Sequence, residues 1–139
     1  MGFGMKKSEI HRIILQEIKS IYYPTGVKYV DWMGYPITNK NKPSYHHIEK
    51  AEDLRKNHKD DTATVENGAI LGKKSHEILH QLEHKDPELY ECWNYLFLVI
   101  NRMGIYPIED VWEMISMLRM KTQDVLYSKG KTLELSKNN

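Results

Sequence analysis

The chain has 139 residues, 40% of them hydrophobic and 28% charged, which suits one globular domain and excludes a disordered or low-complexity chain. Lys plus Arg number 20 and Asp plus Glu 19, so the net charge of +1 excludes a broadly basic nucleic-acid binder; any such surface has to be local. One cysteine, Cys92, excludes an internal disulfide and any paired-cysteine zinc knuckle. The longest apolar run, Leu96 to Ile100, is far short of the ~20 residues that cross a bilayer, and the N-terminus carries no signal-peptide apolar region. A cytoplasmic, reduced protein with no membrane contact is expected.

In chain order, Ile10, Ile13, Ile14, Ile18 and Ile21 recur at helical spacing and predict a first helix over about 7–21, closed by Pro24 and Gly26. Lys28 to Tyr35 is β-branched and aromatic and reads as a short strand or hairpin arm, with a turn near Gly34 and Pro36. Tyr45-His46-His47-Ile48 reads as a strand. Glu49 to Glu66 is a charged, solvated stretch, and Gly68 to Leu71 a second strand. Ser75 is the expected N-cap of a helix over His76–His84, with Glu77 in its first turn. Asp86-Pro87 opens the next helix, over about 87–103, with Leu89, Trp93, Leu96, Phe97 and Ile100 inward and a stop near Gly104. Pro107 opens a last helix over about 108–127, with Val111, Ile115, Leu118 and Val125 on one face. The polar tail 129–139 is expected to fray.

The chemistry is carried by histidines. His76 and His80, four apart on a helix, stack on one face roughly 6 Å apart along its axis, so both can reach one cation. A third ligand has to come from elsewhere. His46 and His47 are neighbours on a strand and point to opposite sides, so one can face the helix and a metal while the other faces a substrate. Three protein ligands with an open position is the pattern of a catalytic metal.

Tyr45-His46-His47-Ile48, Asn67-Gly68-Ala69-Ile70-Leu71 and His76-Glu77-Ile78-Leu79-His80 together resemble the HNH nuclease motif, the ββα-metal finger of colicin-type DNases, homing endonucleases and many phage nucleases. The order His-His, Asn, His, His matches, as do the spacings of nine residues from Asn67 to His76 and four to His80. The resemblance covers Tyr45 to about Glu83. It implies an α+β protein, with a ββα-metal core at about 44–84 embedded among three to four flanking helices in a single domain spanning 1–139. It also implies a metal-dependent endonuclease that hydrolyses phosphodiester bonds, in DNA before RNA, and a small phage-type nuclease.

The resemblance implies roles as well. His46, His76 and His80 would be the metal ligands of the three-histidine version. His47 would be the general base, and Asn67 would pin the loop between the strands so that the base is aimed. Imidazole suits the base because its pKa lies near neutrality, and a cation suits the leaving oxyanion. The cofactor would be one divalent ion, Mg²⁺, Mn²⁺, Ni²⁺ or Zn²⁺; all-imidazole ligation by itself favours Zn²⁺ or Ni²⁺. The sequence departs from many members in having Lys59-Asp60-Asp61-Thr62 where a Gly-Gly pair often sits, and in lacking stapling cysteines.

Lys50 and Arg55, near His47 in sequence, are the nucleic-acid-binding candidates, with Lys73 and Lys74 as a further phosphate track. His84 extends the His76/His80 stripe and reads as surface, His58 as solvated, and His11 as chemically idle. Trp32, Tyr35, Trp93 and Trp112 read as core, Cys92 as a small buried or half-buried hydrophobe, and Met114, Met117 and Met120 as core filling or a partner face. The alternative to a nuclease is a non-catalytic nucleic-acid-binding or inhibitor module on the same scaffold. A third reading is a helical protein with a structural zinc that recruits His84 or His58.

Overall fold

The computed structural model describes residues 6–49, 63–104 and 109–138. Among them the protein is α+β, with α1 (Lys7–Tyr22), β1 (Pro43–His47), β2 (Gly68–Gly72), α2 (Lys73–Lys85), α3 (Pro87–Met103) and α4 (Glu109–Asn138) in chain order. The strands form one antiparallel pair, with Tyr45 opposite Ile70 and His46 opposite Ala69. By strand alternation Tyr45 and His47 share one face of this ribbon, and Ser44 and His46 the other. Helix α1 packs against both strands, and α2 follows β2 directly and packs back on the pair. All five residues of β2 are buried, as a strand covered on both faces requires.

The apolar stripe of α1 differs from the sequence reading. Ile18 and Tyr22 are buried, Ile14 and Leu15 pack beside them, and Ile13 and Ile21 are exposed. At 100° per residue, positions 11, 14, 15, 18 and 22 fall on one stripe. His11 therefore belongs to the inward face.

Lys28 to Tyr35 forms no continuous strand, but it is a short hairpin arm with the expected turn. Gly34 takes φ 89°, and Asp31 N–H donates to the Tyr35 carbonyl at 2.8 Å and Ile37 N–H to the Tyr29 carbonyl at 3.1 Å around a single Val30–Pro36 bridge. Asp31 Oδ1 accepts from the backbone N–H groups of Met33 (3.0 Å) and Tyr35 (2.9 Å) and fixes the turn. Ser75 is not an N-cap. The helix starts at Lys73, with Gly72 before it, and the buried Ser75 hydroxyl donates to Asp31 Oδ2 at 2.5 Å. Gly72 N–H donates to the same oxygen at 2.8 Å, and the Asn41 side chain occupies the space a Cβ at position 72 would need. Asp31 thus ties the turn, the end of β2 and the start of α2 together.

Helix α3 follows its punctuation. The Asp86 carboxylate accepts from Leu89 N–H at 3.1 Å, Pro87 opens the helix, and Gly104 closes it in the left-handed region at φ 67°. Leu89, Trp93, Leu96, Phe97 and Ile100 are buried. Helix α4 lays Val111, Ile115 and Leu118 on this core, and Trp93 Nε1 donates to Thr122 Oγ1 at 2.9 Å. It continues helical to Asn138, through the stretch expected to fray. Met114, Met117 and Met120 are 41%, 51% and 68% exposed, so they do not fill the core. Cys92 is exposed and not half-buried. Trp32 and Trp93 are core, and no helix of the described residues is long and apolar enough to cross a membrane.

Candidate metal centre and the histidine faces

On the α2 face of the ribbon, the His46 and His76 rings stand edge to face with centroids 5.4 Å apart. Two hydrogen bonds fix their tautomers. His46 Nε2 lies 2.7 Å from Asn94 Oδ1 of α3, and a carbonyl oxygen only accepts, so Nε2 carries the hydrogen and the lone pair is on Nδ1. Ser44 donates its one hydroxyl hydrogen to the Leu71 carbonyl at 2.8 Å, so at 2.6 Å it accepts from His76 Nδ1, leaving the lone pair of His76 on Nε2. Burial holds His46 well below the usual imidazole value, at about 4, the Asn94 bond opposing this and the neighbouring His76 and His47 adding to it. Burial, then His80, also lowers His76. Both rings are therefore neutral near pH 7, each with one nitrogen held by an oxygen and the other carrying a lone pair. That is the form in which imidazole binds a metal, with an outer partner orienting each ring. Asn94 carries no sequence signal for this role, being 48 residues from His46.

His80 is one turn further along α2 and exposed. Its ring stands 5.4 Å from that of His84, nearly perpendicular to it. A step of four residues turns 400°, so each successive histidine drifts about 40° around the helix. His76 faces the ribbon, and His80 and His84 turn progressively to solvent. His80, Glu83 and His84 place one ligand atom each within 4.8 Å of one another, and this group could hold a metal ion. Among the described residues it is the group that meets this distance; His46, His76 and His80 do not close together in that sense. His46 and His76 are neutral, oriented donors, and His80 is the residue common to the expected set and to the surface group that could hold an ion.

The opposite face of β1 carries His47. Its ring packs edge-on against Tyr45, centroids 4.9 Å apart, and 5.7 Å from His11 of α1; His11 stacks on Tyr45 at 5.0 Å. Tyr45 is fixed by Thr64, its hydroxyl donating to the Thr64 carbonyl at 2.6 Å and accepting from Thr64 N–H at 2.9 Å. Burial pushes its phenol up to about 12. Burial, then Lys7, holds His11 below its usual value. His11, read from sequence as idle, is thus the α1 neighbour of His47.

Asn67 bridges the two ends of the charged loop. Its Oδ1 accepts from Glu49 N–H at 2.8 Å, and its Nδ2 donates to the Glu49 carbonyl at 3.0 Å. Its own carbonyl accepts from Ile48 N–H at 2.9 Å. Residues 48 and 49, directly after His47, are therefore held at three backbone groups. A cleft of about 890 Å³ opens beside this end of the hairpin, with Asn67, Glu49, Asn94 and Arg102 in its walls. Lys50, Arg55 and His58 lie outside the described residues, and Lys73 and Lys74 are exposed at the start of α2.

Comparison with family models, with curated proteins and with solved structures gives no significant match.

Proposed function

We propose that the protein is a metal-dependent endonuclease of the HNH type that hydrolyses phosphodiester bonds in DNA. The observation that carries this reading is the His46–His76 pair, two neutral imidazoles contributed by β1 and α2 and each oriented by an oxygen on its other nitrogen. His46, His76 and His80 would hold one divalent ion. When bound, it would polarise the phosphate and stabilise the leaving oxygen. His47 would take the proton of the attacking water, and Asn67, through its three backbone bonds to Ile48 and Glu49, would fix the strand end that carries His47.

A second reading has its own observation. His47 packs with Tyr45 and His11 on the face of the ribbon away from His46. A binding module that keeps the metal for shape needs no base beside the ion, and a His47 that packs with Tyr45 and His11 suits it.

Plasmid cleavage separates the two. The purified protein is assayed with EDTA and then with Mg²⁺, Mn²⁺, Ni²⁺ and Zn²⁺ in turn, alongside His47→Ala and His76→Ala. A nuclease nicks or cuts only with metal, loses about 10²- to 10⁴-fold with His47→Ala while still binding the ion, and loses cleavage with His76→Ala. A protein that binds the ion and shifts DNA on a gel without cutting it under any metal is the binding module.

A further inference from the structure

We infer that the groove between α1 and β1 is a binding surface for a nucleic-acid phosphate backbone, with Arg12 and Lys19 as its phosphate contacts and His47 at its edge. This rests on the nuclease reading for the identity of the polyanion, and on separate residues for its location.

The groove encloses about 520 Å³, and its walls include His11, Arg12, Gln16, Lys19, Tyr29 and Tyr45. The floor is mostly apolar and aromatic, with Leu15, Pro43, Tyr29 and Tyr45; its charged residues are the two cations Arg12 and Lys19, and it contains no carboxylate, Glu9 and Glu17 of α1 lying outside it. In a chain with net charge +1, a wall with Arg12 and Lys19 and no Asp or Glu is a local positive field. Lys19 is held over the Tyr29 ring with its Nζ 4.6 Å from the centroid, which keeps the ammonium at the groove. Arg12 is exposed, so its charge is open to a phosphate.

A second observation is independent of charge. His11 Nε2 is buried with no hydrogen-bond partner, although its ring stacks on Tyr45 and faces His47. A buried ring nitrogen without a partner costs stability, and this one belongs to a residue of the groove wall, so the wall is not closed by hydrogen bonds of its own at that point. A third concerns His47 itself, whose ring lies on the α1 side of β1 together with His11 and Tyr45. Among the described residues no strand pairs with the other edge of β1. His11 and Tyr45, which line the groove, are the residues His47 packs against, so a backbone laid along the groove passes next to His47.

The test is fluorescence anisotropy with a short labelled DNA duplex in EDTA, where binding is read without cleavage. Arg12→Ala/Lys19→Ala is compared with the charge-matched Lys85→Ala/Lys121→Ala, whose residues are exposed on α2 and α4, and with Arg12→Lys/Lys19→Arg. The groove variant is expected to bind about tenfold more weakly, with a salt slope shallower by about two; the charge-matched control and the charge-preserving exchange bind like the parent. Equal binding by groove variant and control overturns the inference, as does a parent protein that does not bind the duplex. The same preparations assayed for plasmid cleavage with metal keep the readings apart. Metal-dependent cleavage with unchanged binding by the groove variant removes the groove and leaves the nuclease. Weakened binding by that variant with no cleavage under any metal leaves the groove and removes the nuclease.

Discussion

At the scale of single residues, Asp31 and His46 have consequences that can be measured. Asp31 is buried and accepts four hydrogen bonds, from Met33, Tyr35, Gly72 and Ser75. Burial raises its carboxyl above the usual range, and the four donors oppose this. In Asp31→Asn one oxygen becomes an amide NH₂. The Ser75 hydroxyl can turn to accept from it; the Gly72 N–H cannot, and is left facing a donor. One stranded buried donor costs about 2 kcal/mol, and a urea melt at neutral pH should register a loss of that size. An unchanged midpoint would mean the turn does not depend on the carboxylate. His46 sets a pH dependence in metal-free protein. Its folded value, about 4, lies below the unfolded 6.5, so as pH falls the unfolded chain takes the proton first. Stability is intact above 6.5 and drains between 6.5 and about 4, at a slope approaching ~1.4 kcal/mol per pH unit. His76, lowered by burial, acts in the same direction. Denaturant melts in EDTA across this range should show the slope, and His46→Leu should flatten it; an equal slope in that variant would assign the acid sensitivity elsewhere.

At the scale of elements, what was legible in the sequence was what local chemistry decides. Asp86, Pro87 and Gly104 delimit α3 because a cap, a fixed φ and a left-handed closure act within a few residues. The two strands and the helix after them exist as pattern and turn residues suggest, but with shifted bounds: the first strand is Pro43–His47 where the pattern covers 45–48, and the helix starts at Lys73, three residues before His76. The misread elements share one cause. Lys28 to Tyr35 has strand composition and turns back on itself as expected, yet the Asp31 side chain takes the Met33 and Tyr35 N–H groups at the turn and the pairing stops at one bridge. Ser75 has cap chemistry, yet its partner is Asp31, 44 residues away. In α1 the isoleucines suggested one stripe, and packing selected another that includes His11. At the site, His46 next to His76 follows from strand alternation and helix spacing. The anchor Asn94, the stacking of His11 on Tyr45 and the turning of His80 toward His84 follow only from tertiary packing.

At the scale of the whole molecule, the His46–His76 pair joins β1 to α2, and an ion bound there would add a cross-link between β1 and α2 where the Ser44–His76 bond and ring packing already meet. A ligand that binds the folded chain and not the unfolded one stabilises it by about 2.7 kcal/mol when present at a hundred times its Kd. For a domain of this size that raises the melting temperature by on the order of 10 °C. Two donor groups compete for the credit, since His80, Glu83 and His84 could hold an ion on α2 alone. Zn²⁺ titration followed by thermal melting separates them. If the ion sits between β1 and α2, the shift disappears in His76→Ala and survives in His84→Ala. The reverse pattern would place the ion on the helix surface and take from the proposed nuclease its metal centre. Loss in both variants would mean that His80 draws the two groups into one site, which isothermal titration would register as a single ion per chain in the parent protein.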